Sequence, residues 1–85
     1  MERLMDKRLG FVGIIVEDRQ TSAAKVNEIL TEFGTIIVAR TGIPYPSRNV
    51  CVITLVVDTT TDTLGALTGK LGALEGVSVK SGVCR

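Results

Sequence analysis

Histidine and tryptophan are both missing from the 85 residues. Histidine is the commonest general base and a frequent ligand of transition metals, so its absence excludes serine–histidine–aspartate triads and most zinc sites. No glycine-rich phosphate loop joins a strand to a helix either. Because no convincing acid, base or nucleophile remains, we predict that the chain is not an enzyme and that it holds no cofactor or metal.

Aromatic residues are scarce, and neither sign of charge is in clear excess. Aromatics make up 4% of the sequence against 45% hydrophobic residues, which leaves an aliphatic core. Ten Lys and Arg residues are balanced by nine Asp and Glu residues, with the two signs interspersed. A nucleic-acid site needs a basic stripe or aromatic stacking platforms, so we expect no direct binding of nucleic acid.

Long apolar runs are missing too. No run approaches the ~18 residues of a membrane span, and the charged start of the chain, MERLMDKRLG, lacks the apolar segment of a signal peptide. We therefore expect a cytoplasmic protein that does not bind a membrane. A chain of this length can bury a single core, so we expect residues 1–85 to form one domain.

Short apolar runs alternate along the chain with amphipathic stretches. Runs rich in β-branched residues predict strands, and apolar residues at steps of three and four predict helices. Thr21 or Ser22 can cap the first helix, and Gly34 and Gly76 stand where the two helices should end. The predicted elements are strands at 9–16, 35–41, 49–58 and 77–83, helices that begin near 21 and within 59–62, and a glycine- and proline-containing loop at 42–47.

The order βαββαβ predicts an α+β, ferredoxin-like fold. Right-handed crossovers applied to its two βαβ halves give a four-stranded antiparallel sheet in the order 4-1-3-2. Both helices then lie on one face of the sheet. The chain itself leaves the opposite face uncovered.

The two central strands indicate that another subunit covers this second face. An antiparallel sheet with one side in water should alternate apolar and polar residues, yet the first and third strands are apolar on both sides. The alternative is that these valines are simply exposed to solvent, because single exposed apolar side chains are common in soluble proteins. We predict a homo-oligomer, a dimer or a tetramer, that forms through the open sheet face. Its interface residues in the third strand are Val50, Val52, Thr54 and Val56.

Three glycines, Gly65, Gly69 and Gly72, fall on one stripe of the second helix. Each glycine inside a helix costs about 0.5–1 kcal/mol relative to alanine, so we expect something to approach the stripe closely. One interpretation is close packing on the first helix or on a neighbouring subunit. The other is approach of a ligand to the helix backbone.

Two cysteines lie 33 positions apart, which is neither a disulfide framework nor a metal-binding pair of short spacing. We expect Cys51 and Cys84 to lie at the same end of the sheet, two strand spacings or roughly 9–10 Å apart. That separation exceeds the ~7 Å limit for a disulfide, so both thiols should be free.

A candidate small-molecule site surrounds the loop after the second strand. The segment combines two arginines with the only tyrosine of the chain and is stiffened by proline. It can recognise a small anion, or it can pack against a neighbouring subunit. The candidate residues are Arg40, Gly42, Pro44, Tyr45 and Arg48.

Three motifs resemble a known family. They are the R-x-G-I-P-Y stretch at Arg40–Tyr45, the V-V-D-x-T-T-D stretch at Val56–Asp62 and the G-A-L-T-G-K-L-G stretch at Gly65–Gly72. In kind and spacing they are similar to the small ACT-like proteins named as regulators of an iron-only hydrogenase system. The resemblance extends over nearly the whole chain.

This resemblance implies an ACT-like fold, oligomeric assembly and a regulatory role beside iron-only hydrogenase. ACT domains bind amino acids at subunit interfaces, commonly with the turn after the first strand, which adds Glu17, Asp18 and Arg19 to the candidate site. The turn here lacks the glycine usual in ACT domains. The expected function is a non-enzymatic regulator that acts as an oligomer and binds a small effector, such as an amino acid, or a partner protein. The alternative is a structural or assembly subunit without a ligand.

Overall fold

The computed structural model describes residues 6–17 and 20–84. Four strands and two α-helices follow one another along this part of the chain in the predicted order βαββαβ. Short 3₁₀ turns precede and follow the second strand, at Gly34–Ile36 and Pro46–Arg48. The elements are β1 (Arg8–Glu17), α1 (Gln20–Glu32), β2 (Ile37–Tyr45), β3 (Val50–Thr59), α2 (Thr61–Gly72) and β4 (Val77–Val83).

One antiparallel sheet contains the four strands in the order β2-β3-β1-β4, which is the predicted order read from the other edge. β1 lies inside the sheet because it pairs with β3 on one side and with β4 on the other. Both neighbours run antiparallel to β1, so β3 and β4 run in the same direction. The predicted ferredoxin-like fold is confirmed.

The core lies between the sheet and the two helices. Alternate residues of β1 and β3 point toward the helices and are buried there, as a period of two requires. Leucines of α2 at steps of three and four fill the same layer. The buried apolar residues are Val12, Ile14, Val16, Val26, Leu30, Ile53, Leu55, Val57, Leu64, Leu67 and Leu71. Neither described helix combines the length and the apolar content that crossing a membrane requires.

The predicted loop at 42–47 is wrong, because β2 continues through Pro44 to Tyr45. Pro44 stands opposite Cys51 in the β2–β3 ladder. β2 is an edge strand, where a residue without a backbone N–H costs no ladder bond if its nitrogen side faces solvent. The reversal is confined to Pro46–Arg48 and to Asn49, whose φ of 56° is left-handed.

Helix α1 begins earlier than predicted, at Gln20. Ser22 is therefore in its first turn and not at a capping position. Its hydroxyl donates to the carbonyl oxygen of Glu75 at 2.8 Å, which ties α1 to the segment before β4. A serine in this place joins two distant parts of the chain, and a sequence pattern cannot distinguish that role from capping.

Of the two glycines predicted to end the helices, Gly34 lies just after α1 as predicted, whereas Gly76 lies four residues beyond the end of α2. Gly34 begins the 3₁₀ turn after α1, and among the described residues only Gly76 is a glycine with positive φ, at 76°. α2 already ends at Gly72, so Gly76 serves the turn into β4. The carbonyl oxygen of Gly76 accepts a hydrogen bond from the backbone N–H of Glu17, the last residue of β1, at 2.9 Å.

The glycine stripe of α2 faces outward. No heavy atom of the described chain lies within 4 Å of a Cβ built on Gly65, Gly69 or Gly72, apart from the helix's own backbone and immediate neighbours. The expectation of close packing on α1 is therefore wrong, because α1 meets α2 along another side. Close approach by a second subunit or a ligand stays a prediction.

The two cysteines lie at opposite ends of the sheet, contrary to the prediction. Cys51 stands beside Val16 at one end of β1, and the backbone N–H of Cys84 donates to Leu9 at the other end, at 2.7 Å. The prediction failed because β3 and β4 run in the same direction, so the start of one and the end of the other are far apart. Both cysteines are free.

Thr60 caps the N-terminus of α2, within the predicted stretch. Its hydroxyl oxygen accepts a hydrogen bond from the backbone N–H of Thr63 at 3.2 Å. Replacing such a cap with alanine removes a partner from an N–H at the helix end and typically costs about 1 kcal/mol.

We expect Thr60→Ala to lower the free energy of unfolding by about 1 kcal/mol. The matched control is Thr61→Ala, at the next position, where the side chain is exposed and a change within about 0.5 kcal/mol is expected. Urea unfolding followed by circular dichroism, at one protein concentration, measures both. Equal losses in the two variants would contradict the capping role.

Candidate functional site

The side of the sheet turned away from the helices is called the open face here. Alternate residues of each strand point to it, and residues opposite one another on neighbouring strands form rows across the sheet. Its members are Leu9, Phe11, Gly13, Ile15 and Glu17 of β1, Val50, Val52, Thr54, Val56 and Asp58 of β3, Ala39, Thr41, Ile43 and Tyr45 of β2, and Ser78, Lys80 and Gly82 of β4.

Large apolar side chains are exposed on the open face. Phe11 leaves 52% of its surface accessible, Ile43 leaves 53% and Val56 leaves 40%. Single exposed apolar residues are ordinary, but neighbouring ones on adjacent strands form a patch of the kind that marks an interaction site. The other large apolar residues exposed on this face are Leu9, Ile15 and Tyr45.

The four residues predicted for the oligomer interface all lie on the open face. Val50 and Val52 are half-buried by their neighbours, whereas Thr54 and Val56 are exposed. The two helices cannot cover them, because both helices lie on the other side of the sheet. Contact of these residues with a second copy stays a prediction.

One row across the middle of the open face has a glycine at its centre, so the surface there is lower than in the two neighbouring rows, which carry larger apolar side chains. Gly13 of β1 is at its centre, with Thr54 of β3 on one side and Lys80 of β4 on the other. A depression of about 280 Å³ opens above Gly13. We call it the Gly13 depression, and the residues that line it are Gly13, Ile14, Ile15, Val52, Ser78, Val79 and Lys80.

The residues predicted to bind a small molecule divide into two groups. Glu17 and Tyr45 share the last row of the open face, on either side of Val50 and so about 10 Å apart. Arg48 follows in the adjacent 3₁₀ turn. Asp18 and Arg19 lie outside the described residues.

The second group lies on the helix side of β2. Gly42 stands opposite the core residue Ile53, and Arg40 donates from Nη2 to Oδ1 of Asn27 on α1. Pro44 lies on the same side, two residues further along the strand. The sheet therefore separates Arg40, Gly42 and Pro44 from Glu17 and Tyr45, so the predicted set does not form one pocket.

Sequence reasoning missed the Gly13 depression altogether. Its charged member, Lys80, reaches Gly13 only through the pairing of β1 with β4, which joins residues far apart in sequence. One signal was available: a glycine in the middle of a central strand often marks a place where another group approaches closely.

The described residues form no metal-binding cluster. Within residues 6–17 and 20–84, no group of three or more His, Cys, Asp or Glu side chains is placed to hold a metal ion. An ion pair joins Lys70 of α2 and Glu32 of α1 at 2.6 Å. Both partners are about half exposed, so the pair contributes little to stability.

The family model described as "TM1266-like: Iron-only hydrogenase system regulator, putative" matches residues 8–81. The structure of the protein TM1266 from Thermotoga maritima is similar, with 43% identity, a TM-score of 0.90, and coverage of 93% of this chain and 99% of that one. No curated protein is significantly similar in sequence.

Two less similar structures share the fold. The ACT domain from GTP pyrophosphokinase of Chlorobium tepidum is 22% identical, with a TM-score of 0.75 over 88% of this chain and 97% of that one. The C-terminal domain of the MgtC protein from Mycobacterium tuberculosis is 14% identical, with a TM-score of 0.72 over 99% and 94%. These likenesses show that the fold is ACT-like.

Two glycines of β1, Gly10 and Gly13, differ in whether the surrounding chain leaves space for a side chain. A Cβ on Gly10 would lie 2.6 Å from the carbonyl oxygen of Gly82, which is backbone and cannot move aside. A Cβ on Gly13 would meet nothing nearer than the Lys80 carbonyl at 3.9 Å, an ordinary contact.

We expect Gly10→Ala to lower the free energy of unfolding by about 1–3 kcal/mol through overpacking. Gly13→Ala should leave it unchanged or raise it by up to about 1 kcal/mol, because alanine restricts the unfolded chain more than glycine does. Thermal and urea unfolding of the two variants and the parent protein measure the difference. A loss in Gly13→Ala as large as in Gly10→Ala would contradict the geometry of the open face.

Proposed function

The chain belongs to the family of iron-only hydrogenase system regulators with an ACT-like fold, and from this we propose that it is a non-enzymatic regulatory module that works as a homo-oligomer. In this proposal the open faces of two copies pack against each other. The effector, or a partner protein, acts on the assembled form. The observation that carries the proposal is the patch of exposed apolar residues on the open face.

The size of the open face supports this assembly. With ~4.8 Å between strands and ~3.3 Å per residue, a four-stranded face of this length measures roughly 20 by 30 Å, or about 600 Å². A stable interface buries about 800 Å² of accessible surface on each partner. The two areas are comparable, because protruding side chains make the accessible surface of the face larger than its flat area. Packing of two sheets face to face at ~10 Å is also an established arrangement of apolar sheet surfaces.

The charges of the open face are compatible with self-association. Glu17, Asp58 and Lys80 are its acidic and basic members, and they lie toward its ends and one edge. The middle strands carry Val52, Val56 and their apolar neighbours. This is the distribution of a protein interface, whose centre is depleted in charge and whose rim is polar.

Val56→Lys tests the proposal. Val56 is 40% exposed in the single chain, so a lysine there can reach water without disturbing the helix side. Between two packed sheets the same lysine would be a buried charge without a partner, which costs several kcal/mol. We expect the wild-type chain to show a solution mass that is a multiple of 9.1 kDa and the variant to show 9.1 kDa. Light scattering over a concentration series measures both.

Ala66→Lys is the matched control. Ala66 is exposed on α2, on the other side of the sheet, so the same charge should leave the mass unchanged. A monomeric wild-type chain, or a Val56→Lys variant that keeps the wild-type mass and stability, would overturn the open-face assembly.

A further inference from the structure

The open face carries a projecting aromatic ring next to a depression. Phe11 of β1 is exposed, and its ring lies over Gly82 of β4, where Cζ would be 2.7 Å from an added Cβ. The Gly13 depression begins two residues further along β1, roughly 7 Å away. The ring and the depression both lie on the side of β1 that faces β4, since the ring covers Gly82 and three residues of β4 line the depression.

The Gly13 depression suits an apolar group of about the size of a phenyl ring. Its accessible lining is almost wholly apolar, so it offers little to a charged or strongly polar group. A cavity of about 150 Å³ is enough to hold benzene, and the depression measures about 280 Å³. An added Cβ at Gly13 would meet no atom of the described chain nearer than the Lys80 carbonyl at 3.9 Å, so the chain itself leaves this space unfilled.

A two-fold axis can bring the ring of one copy over the depression of the other. Two identical chains most often associate about such an axis, and each then presents the same surface to its partner. If the axis crosses the strands, β1 of one copy lies over β1 of the other in the opposite direction, and the two β4 strands stay on the same side. With the axis level with Val12, Phe11 of each copy faces Gly13 of the other.

Neighbouring registers fit less well. An axis level with Gly13 sets the two depressions opposite each other and brings the two Lys80 side chains together, a like-charge contact that is costly at an interface. An axis level with Phe11 makes the two rings compete for one place between the sheets. An axis level with Ile14 puts Phe11 opposite the carboxylate of Glu17. Among these registers, the axis at Val12 fills both depressions and keeps like charges apart.

We propose that two open faces pair about this axis, with the Phe11 ring of each copy filling the Gly13 depression of the other. The ring packs on Gly13 and Ile15 of the partner, beside the aliphatic stem of Lys80, whose ammonium group stays in water at the rim. The proposal rests on the open-face assembly of the proposed function and adds the contact that sets its register. Aromatic side chains that fill a pocket on the partner are typical anchors of a protein interface.

Exchanging the projection and the depression tests this contact. We expect Gly13→Leu to weaken self-association about tenfold or more, because the added side chain takes the place of the partner's ring. Phe11→Ala should weaken it as well, since the depression is then left empty. The double variant should associate about tenfold more tightly than Gly13→Leu alone, because the leucine enters the space that the ring has left. Analytical ultracentrifugation over a concentration series measures the dissociation constants.

Thr41→Leu is the matched control, because Thr41 is exposed in the same row but on β2, on the other side of β3 from the ring. Phe11→Ala should not rescue any loss of association that it causes. If the wild type is an oligomer and the double variant is no tighter than Gly13→Leu, the contact is overturned and the open-face assembly stands. A monomeric wild type would overturn both.

A measurement on the wild-type chain complements the variants, because Phe11 covers Gly82 and its removal can also lower the stability of the single chain. Isotope-filtered NMR on an oligomer mixed from labelled and unlabelled chains detects contacts between chains alone. We expect nuclear Overhauser effects from the Phe11 ring to the α protons of Gly13 and the methyl groups of Ile15. An oligomer that shows none of them would contradict the proposed contact.

Discussion

The two middle strands of the four-stranded sheet carry apolar residues on both sides, but the two helices cover only one side. The other properties of the molecule depend on this difference between the two sides of the sheet. On the helix side, Ile14 and Leu55 are completely buried and the core is closed. On the other side, Phe11 and Val56 are neighbours in the same row and remain in water. Both helices lie on the first side, so no described helix or strand packs on the second. The open face is therefore the surface on which the proposed assembly depends.

The fold was predictable to the extent that its signals are local. Alternation in β3 separated Ile53, Leu55 and Val57 from the open-face valines, and the leucine spacing of α2 gave its buried side. The predictions that proved wrong concern residues whose conformation or position depends on how the strands pair in the sheet. Pro44 reads as a loop residue, yet its place on an edge strand lets β2 continue through it. The predicted position of the cysteines is wrong because β3 and β4 run in the same direction, which puts the start of one strand and the end of the other at opposite ends of the sheet.

The candidate site was predictable only in part, for the same reason. The four residues of the predicted interface follow from the period of β3 alone, and the structure places all four on one face. The depression depends on Gly13 and Lys80, which become neighbours only through the register of β1 with β4. The arginine- and tyrosine-containing segment reads as one cluster in the sequence, but β2 turns Arg40 toward α1 and Tyr45 toward the open face. A strand separates consecutive residues onto opposite sides, so closeness in sequence is a poor guide to a shared pocket.

An effector site within an interface makes ligand binding and assembly a single equilibrium. If a ligand binds the assembled form better than the free chain, assembly must tighten when that ligand is present, and the same factor must appear in both affinities. Solution mass and ligand affinity would then be two readings of one equilibrium, so a ligand that left the mass distribution unchanged could not act through the open face.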